Sequence, residues 1–191
     1  MSTAAPPGLL TADEFYDWAN RAENADRRYE LDAGRVVETP SPGELHGAVC
    51  WLVIKLLAEY LARRRAGYLL SNDTGLVVAR DPDTVRGPDV MLYLENKPLA
   101  QMARGHARAI PALVAEIMSP SDRMSDILRR VRQYHHQGVP LVWVVEPDAR
   151  MVHVYRPNEF PKVLDESDEL TGNEILPDFQ YKVADLFRMH E

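Results

Sequence analysis

The chain has 191 residues, of which 46% are hydrophobic and 27% charged, an ordinary composition for one globular domain with a sizeable core. The formal net charge of −7 argues weakly against a protein that coats nucleic acid through bulk electrostatics, and it leaves room for an enzyme with a local basic patch. No membrane span is predicted, because Lys55 and Glu59 interrupt the longest apolar stretch, and no secretory signal is predicted, because "MSTAAPPGLL" lacks a basic and a long apolar segment. The single cysteine, Cys50, excludes an intramolecular disulfide and favours a cytoplasmic location.

The first forty residues predict a short helix followed by a hairpin. Thr11 and Glu14 have the spacing of a capping box, which marks the start of a helix. Two strand-like segments then flank Ala33-Gly34, a dipeptide that favours a hairpin turn.

The clearest helix signal covers residues 44–65, where apolar residues recur with the 3.6-residue helical period. Gly67 follows a basic last turn and marks the end of this helix. Strands are predicted next over 67–80 and 88–95, and a polar loop with a short helix over 96–108.

The segment 110–119 is the most apolar predicted strand, and its continuous pattern indicates a central position with burial on both faces. A helix ending at Gly138 follows, then two strands joined at Pro147-Asp148. The tail predicts a turn, a short extended piece and a terminal helix. Together these elements predict an α/β fold with a mixed sheet of about six strands flanked by helices.

No internal repeat, low-complexity tract or long linker divides the chain, so we expect one domain over residues 1–191. Within it we expect a flexible segment at 1–10, an N-terminal helix and hairpin at 11–42, a core at 43–165, and a C-terminal turn and helix at 166–191.

Three acidic residues lie in segments that are otherwise typical of buried strands. Glu30 lies in "YEL", Asp89 opens "PDVMLYL", and Glu116 interrupts "ALVAEIM". A buried carboxylate needs a cation, either as an ion-pair partner or as a metal that it coordinates. Two carboxylates from neighbouring strands, together with a backbone carbonyl, suit a magnesium ion. A buried ion pair between Glu116 and Arg130 is the alternative.

His46 lies in the first turn of the long helix. Because a helix N-terminus disfavours the imidazolium ion, we expect a neutral His46 that can accept a proton or bind a metal. A capping or solvent-facing histidine is the alternative. The sequence has no Cys/His zinc pattern, no Gly-rich phosphate loop and no nucleophile elbow. Cys50 is expected to be a buried structural thiol.

Three segments occur in an order that resembles a known family. They read "YELDAGRVVETPSPGELHGAV", "RGPDVMLY" and "PALVAEIMSPSDRMSDILRRVRQYHHQGVPLVWVVEP". They resemble the Uma-type restriction endonucleases of the PD-(D/E)XK nuclease superfamily, from about Leu9 to the closing "ILPDFQYKVADLF". The resemblance implies a restriction-endonuclease-like core, with a central mixed β-sheet flanked by α-helices and a divalent metal at one end. It also implies hydrolysis of DNA phosphodiester bonds by a metal-activated water.

The same resemblance implies a set of site residues. Asp89 matches the "PD" element and Glu116 the second acid, and Ile117 supplies a main-chain carbonyl to the metal. That metal is Mg²⁺, with Mn²⁺ as a substitute. Glu30 and His46 match further polar positions that line the same pocket.

The chain lacks the lysine that the wider superfamily carries two residues after the second acid. The position two residues after the second acid holds Met118, and relatives of this type place a lysine on the following helix, four residues after an Asp. Here that Asp is Asp126 and the matching residue is Arg130. Arginine keeps the positive charge for phosphate binding but cannot shuttle a proton. An ion pair between Arg130 and Asp126 is the alternative.

Three functions are compatible with these residues. The first is a metal-dependent endonuclease, expected to act on DNA as a homodimer with one active site for each strand. The second is a family member that has lost catalysis and binds nucleic acid or protein. The third is a structural dimer in which Glu116 and Arg130 form a buried pair sealed from solvent. The strand "WVVEP" and the hairpin after it are the expected dimer interface.

Overall fold

A computed structural model describes residues 8–189 of the chain. This part contains three α-helices and twelve strands, and the strands form three sheets. The elements in chain order are α1 (Ala12–Ala19), β1 (Arg28–Asp32), β2 (Arg35–Thr39), α2 (Glu44–Arg64), β3 (Tyr68–Ser71), β4 (Leu76–Ala79), β5 (Thr84–Arg86), β6 (Val90–Tyr93), β7 (Leu113–Ile117), α3 (Met124–Gln137), β8 (Val142–Glu146), β9 (Met151–Tyr155), β10 (Lys162–Leu164), β11 (Glu169–Gly172) and β12 (Leu176–Lys182). Two 3₁₀ helices, Leu99–Gln101 and Val183–Phe187, complete the described part.

A six-stranded sheet with the order β10-β9-β8-β7-β6-β3 forms the centre of the molecule. Strands β7 and β8 pair in parallel, while the other neighbours pair antiparallel, so the sheet is mixed. Apolar residues of α2 pack on one face of this sheet, and those of α3 pack on the other. All five side chains of β7 are buried, as its continuous apolar pattern predicts. The predicted α/β fold with a central mixed sheet flanked by helices is therefore confirmed.

The N-terminal region forms the predicted helix and hairpin. Thr11 and Glu14 make a capping box at the start of α1, and the turn between β1 and β2 places Ala33 and Gly34 at φ of 48° and 77°. The hairpin belongs to a four-stranded sheet, β2-β1-β5-β4, whose short strand β5 the sequence pattern does not predict. The Leu10 N–H donates to the Gly34 carbonyl at 2.8 Å, and residues 1–7 of the segment expected to be flexible lie outside the described residues.

Two expectations for the C-terminal half hold only in part. The tail has the expected extended piece, β12, and a helical end, but β12 pairs with β11 in a hairpin and the end is a 3₁₀ helix. The strand "WVVEP" is β8, which lies between β7 and β9 with most of its side chains buried, so it is not available as a dimer interface, while the hairpin after it stays a prediction.

Helix α2 is long and apolar enough, by length and composition alone, to cross a membrane, with a mean hydropathy of 1.5. Core helices meet the same criterion. Its buried residues pack against the six-stranded sheet, which accounts for the apolar composition; they are Val49, Val53, Leu56, Leu57 and Tyr60.

Candidate active site

The pairing of β6 with β7 brings two of the predicted acids together. These strands run antiparallel, with Val90 opposite Ala115, so the register places Asp89 across from Glu116. The Ile117 N–H donates to Oδ2 of Asp89 at 2.7 Å, which fixes the carboxylate at this end of the sheet. Asp89 lies on the short connection between β5 and β6, and Glu116 lies near the end of β7.

His46 contacts the first of these acids. Its Nε2 lies 3.2 Å from Oδ1 of Asp89, and both side chains are largely buried. The hydrogen bond to Asp89 raises the pKa of His46, although burial acts in the opposite direction. The contact with Asp89 thus opposes the effect of the helix N-terminus, and a neutral His46 stays a prediction.

Glu116 is 6% exposed and is held by the helix on the opposite face of the sheet. The Tyr134 hydroxyl of α3 donates to its Oε1, and NH1 of Arg130 lies 3.9 Å from the same oxygen. Burial raises the pKa of Glu116 to about 8; Arg130 opposes this rise and the negative charge of Asp89 adds to it. The two acids thus form a place where a further cation lowers the electrostatic free energy.

Glu30 accepts hydrogen bonds from three groups. NH1 of Arg130 donates to its Oε1 at 2.6 Å, and the Gly87 N–H donates to the same oxygen at 2.9 Å. NH1 of Arg86 donates to its Oε2 at 3.1 Å. Arg130 therefore pairs with Glu30 and not with Asp126, which lies 3.7 Å from Arg129 instead.

Arg86 is the buried centre of this network, with 2% of its surface exposed. Besides Glu30, its guanidinium donates to Asp32 at 2.6 Å and to Gln133 at 2.8 Å. Sequence reasoning missed Arg86, although a charged residue directly before "GPD" was an available signal. It also gave Tyr134 no place in the site, because nothing in the sequence indicates that its hydroxyl meets Glu116.

All the predicted site residues line one open cavity of about 320 Å³. The predicted members are Glu30, His46, Asp89, Glu116, Ile117 and Arg130. They come from both large sheets and from α2 and α3, which explains why their sequence spacing is loose. Because the cavity reaches Glu116 and Arg130, these two residues are not a pair sealed from solvent. Cys50 lies beside the site, and burial raises the pKa of its thiol to about 11, which disfavours a nucleophilic role.

The donor set fits a hard divalent cation that keeps part of its water shell. Among residues 8–189, no group of three or more His, Cys, Asp or Glu side chains has the arrangement of a complete metal site. Mg²⁺ is commonly held by one or two carboxylates and completed by water and substrate phosphate. Asp89 and Glu116 provide two carboxylates, each oriented by a hydrogen bond from a neutral donor.

Comparisons with known proteins agree with this class of fold. A crystal structure described as "a putative nuclease belonging to DUF820 from Anabaena variabilis ATCC 29413" matches with a TM-score of 0.76 and 19% sequence identity. The match covers 93% of this chain and 97% of that chain, so the two proteins share a fold. No curated protein matches the chain.

The Uma2 family model, described as "Putative restriction endonuclease", matches residues 12–184. The chain therefore belongs to the Uma2 family, which confirms the resemblance. Family and fold together place it among proteins of the nuclease type.

Proposed function

We propose that this protein is a metal-dependent endonuclease that hydrolyses phosphodiester bonds in DNA. The observation that carries the proposal is the pair of carboxylates, Asp89 and Glu116, fixed at one end of the central sheet in a cavity that Arg130 also lines. Membership of the Uma2 family supports the broader class of nuclease.

Asp89, Glu116 and the main-chain carbonyl of Ile117 would hold Mg²⁺, with Mn²⁺ as a substitute. When bound, the ion supplies a water molecule of lowered pKa and neutralises charge on the phosphate. The chain contributes carboxylates that are already oriented, since the Ile117 N–H holds Asp89 and the Tyr134 hydroxyl holds Glu116. His46 orients Asp89 through its Nε2 and lies where it can contact the attacking water.

Arg130 is placed to bind the scissile phosphate. Among the described residues, both of its carboxylate contacts use NH1, so Nε and NH2 remain for phosphate oxygens. Glu30 holds this guanidinium in place at 2.6 Å and is a positioning residue. Arginine retains its proton at any physiological pH, so its role is to stabilise charge in the transition state.

The experiment that tests this function is cleavage of plasmid and of linear DNA with Mg²⁺ or Mn²⁺, compared with EDTA. We expect cleavage only with a divalent ion, and a loss of at least about a hundredfold in Asp89→Asn and Glu116→Gln, because each removes one proposed ligand. Glu38→Gln, an exposed acid of β2, is the control and should cleave normally. Circular dichroism of each variant verifies folding. Cleavage in EDTA, or normal cleavage by Asp89→Asn, would contradict the proposal.

A second candidate is a non-catalytic nucleic-acid-binding protein, favoured by the arginine at the position where relatives carry lysine. Calorimetry with Mn²⁺ separates the two functions. Binding of Mn²⁺ that Glu116→Gln abolishes supports the enzyme, whereas no binding at millimolar Mn²⁺ supports the non-catalytic protein. A homodimer with one site for each strand remains a prediction, and the molecular mass in solution measured by light scattering tests it.

A further inference from the structure

A second cavity of about 290 Å³ adjoins the candidate active site on the side of helix α2. It shares five lining residues with the first cavity: Arg28, Pro42, His46, Asp73 and Asp89. Cys50 lines the second cavity, and its Sγ lies 4.0 Å from the carbonyl oxygen of Asp89, which lines both. A substrate whose phosphate lies at Asp89 therefore has a neighbouring group within reach of this second cavity.

Trp51 gives this cavity an aromatic wall. It is 48% exposed, whereas the other two tryptophans, Trp18 and Trp143, are 7% and 0% exposed. Other apolar side chains are also exposed, but Trp51 is the aromatic one that lines a cavity beside the candidate active site, where a ligand can cover its ring. The Lys55 ammonium lies 5.9 Å from the centre of the Trp51 ring, so a cation accompanies the aromatic surface.

The remaining lining is mixed, with apolar groups from Pro42, Cys50 and Ile54. Ser71 ends the edge strand β3, and Ser71 and Asn72 supply hydroxyl and amide groups, while the Asp73 carboxylate pairs with Arg28. Gly47 lies on α2 one turn before Trp51, and a Cβ built on it would meet no atom within 4 Å. The cavity thus offers an aromatic face, hydrogen-bonding groups and room for a planar ring, which are the features that recognise a nucleobase.

We propose that this second cavity, which we name the Trp51 subsite, binds an unpaired nucleobase next to the phosphodiester bond that is cleaved. The inference rests on the endonuclease function proposed above and deepens it by naming the substrate class. A base inside a duplex is covered by its neighbours and cannot stack on a protein side chain. The preferred substrate is therefore DNA with an unpaired nucleotide at the cleavage position, as in a single strand, an overhang or a flap.

Intrinsic fluorescence provides a direct test, because Trp51 is the one tryptophan with a water-exposed ring. Metal-free protein in EDTA is titrated with oligothymidylate, with a blunt duplex of equal length, and with a chain of abasic residues that keeps the phosphates and lacks the bases. We expect oligothymidylate to quench the fluorescence, and the duplex and the abasic chain to leave it nearly unchanged. Quenching that is equal for all three probes would overturn the proposal.

Affinities of variants for the same labelled probes test the subsite by binding. Trp51→Ala should weaken binding of oligothymidylate by about 5-fold to 100-fold and leave binding of the abasic chain unchanged. Trp51→Phe should retain most of the affinity, because phenylalanine keeps an aromatic face. Leu45→Ala, which removes another exposed apolar residue of α2 outside both cavities, is the matched control.

Gly47→Leu tests the cavity without touching Trp51. The new side chain has space and favours the helix, so the protein should stay folded while the subsite is filled. We expect weaker binding of oligothymidylate and a raised KM for single-stranded DNA. Normal binding by both Trp51→Ala and Gly47→Leu would overturn the proposal.

Three further results separate this inference from its alternatives. If the wild type cleaves DNA with Mn²⁺ but oligothymidylate causes no quenching, the endonuclease stands and the Trp51 subsite is wrong. If quenching occurs but no divalent ion supports cleavage, the subsite stands and the endonuclease is wrong. If Trp51→Ala turns a dimer into a monomer in light scattering, a second copy of the chain covers Trp51 and the subsite is wrong.

Discussion

The candidate active site has a carboxylate side, formed by Asp89 and Glu116, and an arginine side, centred on Arg86. The two sides differ in which groups surround their charges. On the carboxylate side, Asp89 and Glu116 accept hydrogen bonds from neutral donors, the Ile117 N–H and the Tyr134 hydroxyl. Such donors orient a carboxylate but do not cancel its charge. His46 reaches Asp89, and the nearest cation to Glu116 lies at 3.9 Å.

On the arginine side, each of two acids pairs with two arginines, and the three arginines exceed the acids by one positive charge. The members are Glu30, Asp32, Arg86, Arg129 and Arg130, which form ion pairs of 2.6 to 3.1 Å. The comparison teaches that buried charge alone does not identify a metal site. Acids that arginines already pair with form a structural scaffold, whereas the Glu116 carboxyl, whose pKa burial raises to about 8, is stabilised in its charged form by an added cation.

The largest expected effect is a loss of stability when the arginine side is disrupted. Arg86→Met leaves Glu30 and Asp32 without their buried cation, and we expect the free energy of unfolding to fall by about 3–5 kcal/mol. Urea denaturation measures the change. Arg27→Met, which breaks an exposed ion pair with Glu38, is the matched control and should cause a far smaller loss. Equal losses in the two variants would show that the arginine side is not a scaffold.

Added metal should act on the carboxylate side alone. With Mn²⁺ at about a hundred times its dissociation constant, the wild type should gain about 2.7 kcal/mol of stability, because the ion binds the folded protein. Glu116→Gln should gain nothing, since it lacks one ligand. Thermal unfolding with Mn²⁺ and with EDTA measures both. The same rise in Tm in both proteins would exclude Glu116 as a ligand.

Tyr134→Phe tests whether a neutral donor holds Glu116. The substitution removes a hydroxyl that bonds a buried carboxylate, so stability should fall by about 1–3 kcal/mol. It should also weaken Mn²⁺ binding, which calorimetry reports separately from the stability. Unchanged Mn²⁺ affinity would limit Tyr134 to a packing role. Tyr155→Phe, which removes a tyrosine hydroxyl from strand β9, is the control.

Arg130→Lys should have the smallest effect. Lysine keeps the charge beside Glu30 but not the planar fork, so we expect a stability change below about 1 kcal/mol and cleavage within about tenfold of the wild type. Arg130→Ala should lose far more activity, because no charge remains for the phosphate. If Arg130→Lys and Arg130→Ala cleave equally well, Arg130 does not contact the scissile phosphate.

Several parts of the fold could be predicted because local patterns determine them. The capping box at Thr11, the hairpin turn at Gly34 and the 3.6-residue period of α2 each depend on neighbours in sequence. The terminal β-hairpin could not be predicted in the same way. Strands β11 and β12 are stabilised by pairing with each other, and neither segment indicates its partner by itself.

The sequence by itself determined the position of two acids, Asp89 and Glu116, in otherwise apolar strands, because a buried carboxylate is conspicuous against its neighbours. Only the tertiary structure decided their partners. Arg86, Tyr134 and Trp51 acquire their roles from contacts between distant segments, and no local pattern encodes such contacts. The contact of His46 with Asp89, which raises the pKa of the imidazole, likewise depends on the tertiary structure.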